Sequence, residues 1–320
     1  MDKRKVFITS QIPEIGINLL LKKDFHVELF NGRSPITSKE LIKRAKDSSA
    51  VICLLSDSIN KNIIDELSEV KIIANYAAGF NNIDIEYAKQ KGIVVTNTPD
   101  VLTESTADLT LALILSCARR LNEGIDLVSK RKFKGWAPKL LLGIELNNKT
   151  VGIVGMGRIG YAVAKRLKAF GCKIIYYSNN QHLEAEKFLM AKKVSLSELM
   201  KKSDIISLHV PLNGKTKNLI NQEKLQLLKK DAIIINTARG EVIDEQFLIS
   251  MLRENKIFAA GFDVYQNEPK INPELLKLKN VIALPHIGSA THEARNKMSE
   301  LVAKNVIAVL SGKKPITPVN

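Results

Sequence analysis

The feature that most constrains this chain is a glycine loop set between two strands. Thr150–Val154 is a short apolar run, and Gly155-Met156-Gly157-Arg158-Ile159-Gly160 follows it at once. Ile159–Phe170 then has helical spacing, Gly171 suits a helix C-cap, and Lys173–Tyr177 is apolar again. A glycine spacing alone is a weak signal, but a strand–loop–helix–strand context makes it demanding. Gly155 permits a tight turn, Gly157 lets backbone approach a pyrophosphate, and Gly160 lets the helix pack on the strand. The helix start offers free N–H groups and a positive dipole end to phosphates. The region is read as a dinucleotide-binding unit.

A second α/β region precedes it. Val6–Ile8, His26–Phe30, Ala50–Leu54 and Lys71–Asn75 read as strands, with Pro13–Leu21, Ser38–Lys46 and Lys61–Leu67 as helices between them. Such alternation predicts a parallel sheet covered by helices. Glu104–Arg120 reads as one helix, apolar nearly all round and therefore buried between elements or subunits. Lys130–Asn148, with Gly135-Trp136-Ala137-Pro138, reads as a long connection. Further strands are expected at Ile205–His209, Ala232–Asn236, Ala259–Phe262 and Val281–Leu284, and a last helix at Glu293–Ser311. The expected fold is α/β with two doubly wound parallel-sheet domains. A Rossmann domain, residues 100–286, is inserted into a discontinuous flavodoxin-like substrate domain, residues 1–99 and 287–320.

Composition excludes more than it identifies. With 320 residues, 45% of them hydrophobic, the chain can bury two cores. Neither a signal-peptide pattern nor a membrane-length apolar run is present, so a soluble cytoplasmic protein is expected. Cys53, Cys117 and Cys172 are odd in number and far apart, which argues against a disulfide framework or a metal site. They are expected to be buried small apolar residues. The net charge of +15 is spread over many helices without a basic tail or interleaved aromatics. It reads as a solvated surface that also attracts anionic small molecules, without implying nucleic acid.

The strand after the glycine helix ends at Tyr177-Ser178-Asn179-Asn180. NAD enzymes usually place an acid here for the ribose 2′-hydroxyl. No carboxylate stands at this corner to repel a 2′-phosphate, and Ser178, Asn179 and Asn180 can donate hydrogen bonds. No arginine is present either. The corner favours NADP(H), with NAD(H) as the alternative.

Later segments add chemistry: Asn75-Tyr76-Ala77-Ala78-Gly79-Phe80-Asn81-Asn82-Ile83-Asp84, His209-Val210-Pro211-Leu212, Asn236-Thr237-Ala238-Arg239-Gly240, Asp263-Val264-Tyr265 through Glu268-Pro269, and Pro285-His286-Ile287-Gly288-Ser289-Ala290-Thr291. With the glycine loop, in this order, they resemble the D-2-hydroxyacid dehydrogenases, and most of all their glyoxylate/hydroxypyruvate reductase branch, and the resemblance covers nearly the whole chain. The resemblance implies a catalytic Arg239, Glu268 and His286. The chemistry of these residue types agrees. Reduction of a ketone by hydride needs a proton donor, and an imidazole paired with a carboxylate suits that task. An arginine fork suits a substrate carboxylate and the oxygen that becomes negative. His26, His182, His209 and His292 are expected to be structural.

The resemblance also implies that the backbone N–H groups of Ala78 and Gly79 hold the substrate carboxylate, with Leu55 lining the pocket. Asp263 is expected at the nicotinamide carboxamide, with Thr106 and Pro211 flanking the cofactor. Val210, Thr237, Ala238, His286 and Gly288 complete the expected cofactor contacts. Trp136 either reaches a partner subunit's substrate site or plugs a dimer interface, and both readings imply a homodimer. The expected site lies between the domains and closes during hydride transfer. The chain stops soon after the last helix, without added regulatory domains, so glyoxylate or hydroxypyruvate is the expected substrate. Alternatives are 3-phosphoglycerate, broad activity on D-2-hydroxy acids, or a non-catalytic dinucleotide-sensing protein similar to the co-repressors of this fold.

Overall fold

The computed structural model describes residues 4–32 and 34–320. The start of the expected substrate domain, Met1 to Lys3, lies outside them. The chain divides into two units, Met1–Leu102 with Ser289–Asn320, and Thr103–Gly288.

The first unit holds strands β1 (Lys5–Ile8), β2 (His26–Leu29), β3 (Ala50–Leu54), β4 (Ile72–Tyr76) and β5 (Val94–Thr96), alternating with helices α1 (Glu14–Leu21), α2 (Ser38–Ala45), α3 (Lys61–Asp65) and α4 (Ile85–Gln90). All pairings are parallel, in the order β2-β1-β3-β4-β5, the flavodoxin-like order. β3 reads as a continuous apolar run because both its faces are covered, and β4 is fully buried with the polar Asn75 inside it.

The second unit opens with α5 (Thr103–Ala118) and α6 (Leu121–Ser129). Strands β6 (Thr150–Val154), β7 (Lys173–Tyr177), β8 (Lys192–Lys193), β9 (Ile205–Leu208), β10 (Ile233–Asn236), β11 (Ala259–Phe262) and β12 (Val281–Ala283) follow. Between them run α7 (Arg158–Ala169), α8 (Leu183–Leu189), α9 (Leu196–Lys202), α10 (Gln222–Leu225), α11 (Glu245–Arg253) and α12 (Pro273–Leu276). The strand order is β12-β11-β10-β9-β6-β7-β8. The order reverses at β6, the switch point beside which doubly wound sheets bind ligands.

The final helix, α13 (His292–Leu310), packs against α1 and β4 and so belongs to the first unit. Gly16 makes this close approach possible, because a β-carbon there would collide with the Ser299 carbonyl. Ser299 Oγ accepts from the Gly16 N–H at 3.2 Å and donates to the Pro13 carbonyl at 2.6 Å. The C-terminal tail then bridges to the β5 edge, Thr96 opposite Pro318.

One expectation is corrected. The helix expected over Glu104–Arg120 ends at Ala118, and α6 is a separate helix that sequence reading left unassigned. Arg120 takes a left-handed φ of 53°. The Ala118 carbonyl is taken by the Ile144 N–H at 2.8 Å. Gly143 allows that return, since a β-carbon there would strike the same carbonyl.

Candidate active site

Consider first the glycine loop. Gly155 has φ +98°, and a β-carbon there would lie 2.8 Å from the His209 carbonyl carbon, so only glycine suits the turn. At Gly160 a β-carbon would collide with the Gly155 carbonyl, which fixes how closely α7 packs on the loop. Gly157 differs, because a β-carbon would meet nothing within 4 Å. No neighbouring element fills the space beside it. Gly157 also caps α7 without any side-chain hydrogen bond. By contrast, side chains of Thr37, Asn60, Asp84, Ser195, Asn221, Asp244 and Thr291 accept from the first turns of their own helices. The start of α7 therefore offers its backbone donors to a phosphate.

At the end of β7, Ser178 is half-buried while Asn179 and Asn180 are exposed. The structure adds a cation that sequence reading missed. Lys193 pairs in register with Tyr176, and its Nζ donates to the Asn179 carbonyl at 3.1 Å. The nearby Glu186 is already committed. One of its carboxylate oxygens accepts from Tyr176 Oη at 2.7 Å and the other from Gln181 Nε2 at 2.6 Å.

The acid–base pair stands at the carboxyl ends of β11 and β12. His286 Nδ1 lies 2.8 Å from Glu268 Oε2, and Glu268 Oε1 accepts from the Tyr265 N–H at 2.9 Å. Burial works against the Glu268 charge. The hydrogen bond and charge of His286, the Tyr265 N–H and the charge of Arg239 outweigh it and hold the carboxyl below its usual range. An ionised Glu268 accepts, so His286 Nδ1 donates and Nε2 remains for other work. His286 has a left-handed φ of 55°. Asp263 secures the loop around it: its two carboxylate oxygens accept from the N–H groups of Ile287 and Gly288, each at 2.7 Å. Asp263 is almost fully buried, and burial pushes its carboxyl up despite these donors. Thr106 Oγ1 donates to the Gly288 carbonyl at 3.2 Å from the other side.

Arg239 follows β10 and is half-buried. Asn236 shapes its turn, donating to the Arg239 carbonyl at 2.9 Å and accepting from the Ala238 N–H at 3.0 Å. The Arg239 guanidinium donates to the Ala238 carbonyl at 2.7 Å. Burial lowers its hold on the proton, and Glu268 and Glu241 oppose that. Gly240 leaves no room for a β-carbon beside Tyr265, which fixes the turn against the Asp263–Glu268 segment.

A family model for the D-isomer specific 2-hydroxyacid dehydrogenase NAD binding domain matches residues 111–288. The chain is 49% identical to a glyoxylate reductase of Thermococcus litoralis, covering 99% of this chain and 97% of that one. It belongs to the D-isomer specific 2-hydroxyacid dehydrogenase family. Among solved structures, a Thermus thermophilus protein matches with a TM-score of 0.93 at 41% identity, over 99% of this chain and 100% of that one. An NADPH-dependent glyoxylate/hydroxypyruvate reductase of Sinorhizobium meliloti, in complex with NADP and malonate, matches with a TM-score of 0.89 at 30% identity, over 99% and 97%.

This dehydrogenase is a nicotinamide-dependent oxidoreductase that reduces small 2-keto acids. The open cradle at Gly157 and the uncapped start of α7 fit a dinucleotide. Of the other expected cofactor residues, Met156 and Ala238 are buried, Ile159, Val210 and Thr237 half-buried, and Arg158 and Pro211 exposed. Thr237 Oγ1 lies 3.0 Å from Thr110 Oγ1. The three cysteines are buried. His209, expected to be structural, is held by Ser207 Oγ at 2.8 Å, and burial drives its pKa down to about 3. His182 Nδ1 accepts from the Ala185 N–H at the start of α8. Among the described residues, no helix is long and apolar enough to cross a membrane.

In the first unit, Leu55, Ala78 and Gly79 sit in loops at the carboxyl ends of β3 and β4, and all three are partly exposed. Trp136 is 84% exposed in the connection after α6, a helix with no buried residue.

Proposed function

We propose that this dehydrogenase reduces glyoxylate or hydroxypyruvate to the D-2-hydroxy acid, with NADPH favoured over NADH. The observation that carries the reading is the His286–Glu268 pair, 2.8 Å apart on the unit that also holds the glycine loop. When bound, the nicotinamide supplies the hydride to C2 of the keto acid. His286 delivers a proton from Nε2 to the carbonyl oxygen as that oxygen becomes negative, and Glu268 stabilises the imidazolium needed for delivery. Arg239 binds the substrate carboxylate and polarises the carbonyl. Ala78 and Gly79 hold the carboxylate through backbone N–H groups, and Leu55 packs against the substrate. Asp263 sets the His286 loop, and Thr106, Val210, Pro211, Thr237, Ala238 and Gly288 frame the nicotinamide half.

In this reading residues 1–99 and 287–320 bind substrate, and residues 100–286 bind cofactor. The acid-free corner Ser178-Asn179-Asn180 with Lys193 supports NADPH, because a cation there complements a 2′-phosphate. The enzyme works in the cytoplasm as a homodimer. An unburied α6 with Ile125 and Val128 each 65% exposed, followed in the chain by the exposed Trp136, supports a second copy as its cover. Initial rates with glyoxylate, hydroxypyruvate, pyruvate and phenylpyruvate, each with NADPH and NADH, test the proposal. Glyoxylate or hydroxypyruvate with NADPH should give the highest kcat/KM. A preference for phenylpyruvate or for NADH would overturn the corresponding part.

A further inference from the structure

In the segment Asn75–Asp84, the side chains of Asn75 and Asn82 hold backbone carbonyls that the chemistry above does not use. Another asparagine, Asn97, follows β5. All three converge on the loop that connects β4 to the rest of the first unit. The pairing of β4 with β5 places Ala74 opposite Thr96, so residues just beyond the two strands are neighbours. There, three consecutive peptide carbonyls are each held from inside the unit. The Ala77 carbonyl accepts from the Thr98 N–H at 2.9 Å. Next, the Ala78 carbonyl accepts from Asn97 Nδ2 at 2.7 Å. Finally, the Gly79 carbonyl accepts from Asn75 Nδ2 at 2.8 Å.

A trans peptide is planar, and its N–H points opposite to its C=O. Fixing these carbonyls therefore turns the N–H groups of Ala78, Gly79 and Phe80 the other way, outward from the amides that hold them. None of these three N–H groups donates to another group among the described residues. Asn75 is itself braced. Its amide exchanges hydrogen bonds with the Asn82 amide at 3.1 and 3.3 Å, and Asn82 Nδ2 also donates to the carbonyls of Leu54 and Asp57, both at 3.1 Å. The same network therefore ties down the loop that carries Leu55. Asn75 is fully buried and Asn97 nearly so, and each presents an NH₂ to a carbonyl, which a carboxylate of the same shape cannot do.

We propose that Asn97 and Asn75 are positioning residues, a neutral clamp that preorganises three successive backbone donors for the substrate carboxylate, with Phe80 N–H as a third member beside Ala78 and Gly79. The inference rests on the reading that this loop takes the carboxylate. The clamp acts on binding, which is the same in ground and transition states, so its loss raises KM and leaves kcat nearly unchanged. It stands on the first unit, so cofactor affinity is unaffected.

The test uses the full chain saturated with NADP⁺ and oxalate as the probe, a planar dicarboxylate of keto-acid shape. Asn97→Ala should weaken oxalate binding and raise the keto-acid KM about tenfold, with kcat changed less than twofold and the Kd for NADPH unchanged. Asn97→Ser serves if the alanine variant does not fold. An unchanged oxalate Kd in a folded variant overturns the clamp, as does a loss confined to kcat. In the unaltered protein, amide resonances of Ala78, Gly79 and Phe80 are followed during oxalate titration. Shifts at all three support the proposal. Shifts at Ala78 and Gly79 with none at Phe80 overturn the third donor while leaving the carboxylate reading intact. Shifts at none of the three, with oxalate bound, overturn that reading and the clamp together.

Discussion

The two units furnish the carboxyl ends of their sheets in opposite ways. At the ends of β4 and β5, the first unit uses neutral amides: Asn75, Asn82 and Asn97 direct backbone and carry no charge. After β10, β11 and β12, the second unit uses ionisable groups: Arg239, Asp263, Glu268 and His286, three of them in mutual electrical contact. Under the proposed function the difference follows from what each loop would be asked to do. A ligand carboxylate keeps its charge throughout the reaction, so fixed N–H dipoles can help hold it, and the first unit need bury no cation of its own for that purpose. An oxygen that gains charge and then a proton needs groups that can supply both, and those groups must be protected from one another by pairing. Glu268 illustrates the cost: burial favours its neutral form, and the hydrogen bond and charge of His286, with the Tyr265 N–H and Arg239, oppose it.

The strongest way to break this contrast is to remove the titrating member. His286→Ala should lower kcat by a factor of about 100 or more, with a much smaller change in KM. It is the mirror image of the pattern expected for Asn97→Ala. Steady-state kinetics of both variants at saturating NADPH make the comparison. Near-normal kcat in His286→Ala would remove the imidazole from the chemistry and would leave the second unit's charges without an acid–base role.

Lys193 sharpens the contrast at the cofactor corner, where the second unit again uses charge. Lys193→Ala should raise the KM for NADPH roughly fivefold and leave that for NADH unaltered, the modest effect expected of an exposed cation facing a phosphate. Equal effects on both cofactors would mean that Lys193 only props the Asn179 turn. The ion would then contribute nothing to the choice of cofactor.

Sequence made the sheets legible because their strands are short apolar runs buried on both faces, as at Ile233–Asn236. Resemblance drew attention to Arg239, Glu268 and His286, which stand in recognisable segments, and the structure places His286 2.8 Å from Glu268. Two things escaped. Lys193 lies in a two-residue strand, Lys192-Lys193, that has no apolar pattern, and only its register with Tyr176 brings it to Asn179. Asn97 is separated by 19 residues from the carbonyl it holds, and only the pairing of β4 with β5 makes them neighbours. The division of one expected helix at Ala118 had a similar cause, because it depends on the return of Gly143 and Ile144 to that carbonyl. In each case the deciding contact is made between elements, where local spacing carries no signal.

His209 tests whether the contrast belongs to the units or to the loops that face ligand. It stands in the second unit, directly after β9, yet it is neutral: burial pulls its pKa to about 3, and Ser207 Oγ satisfies Nε2 at 2.8 Å. In the unfolded chain the same imidazole takes a proton near its ordinary value of about 6.5. The folded pKa is therefore the lower one. As pH falls from about 6.5 towards 3, the unfolded chain binds a proton that the native chain refuses. Stability falls by up to about 1.4 kcal/mol per pH unit from this group, and below that window it contributes no further loss. Buried carboxylates add their own slope at the acid end, so the informative quantity is a difference. Urea unfolding of the unaltered protein and of His209→Asn, compared between pH 7 and pH 5, should show the variant less sensitive to pH by nearly one proton. Parallel curves would mean that His209 charges in the native state. That would put an ionised imidazole behind the glycine loop, and the division between neutral scaffolding and charged chemistry would fail within the second unit itself.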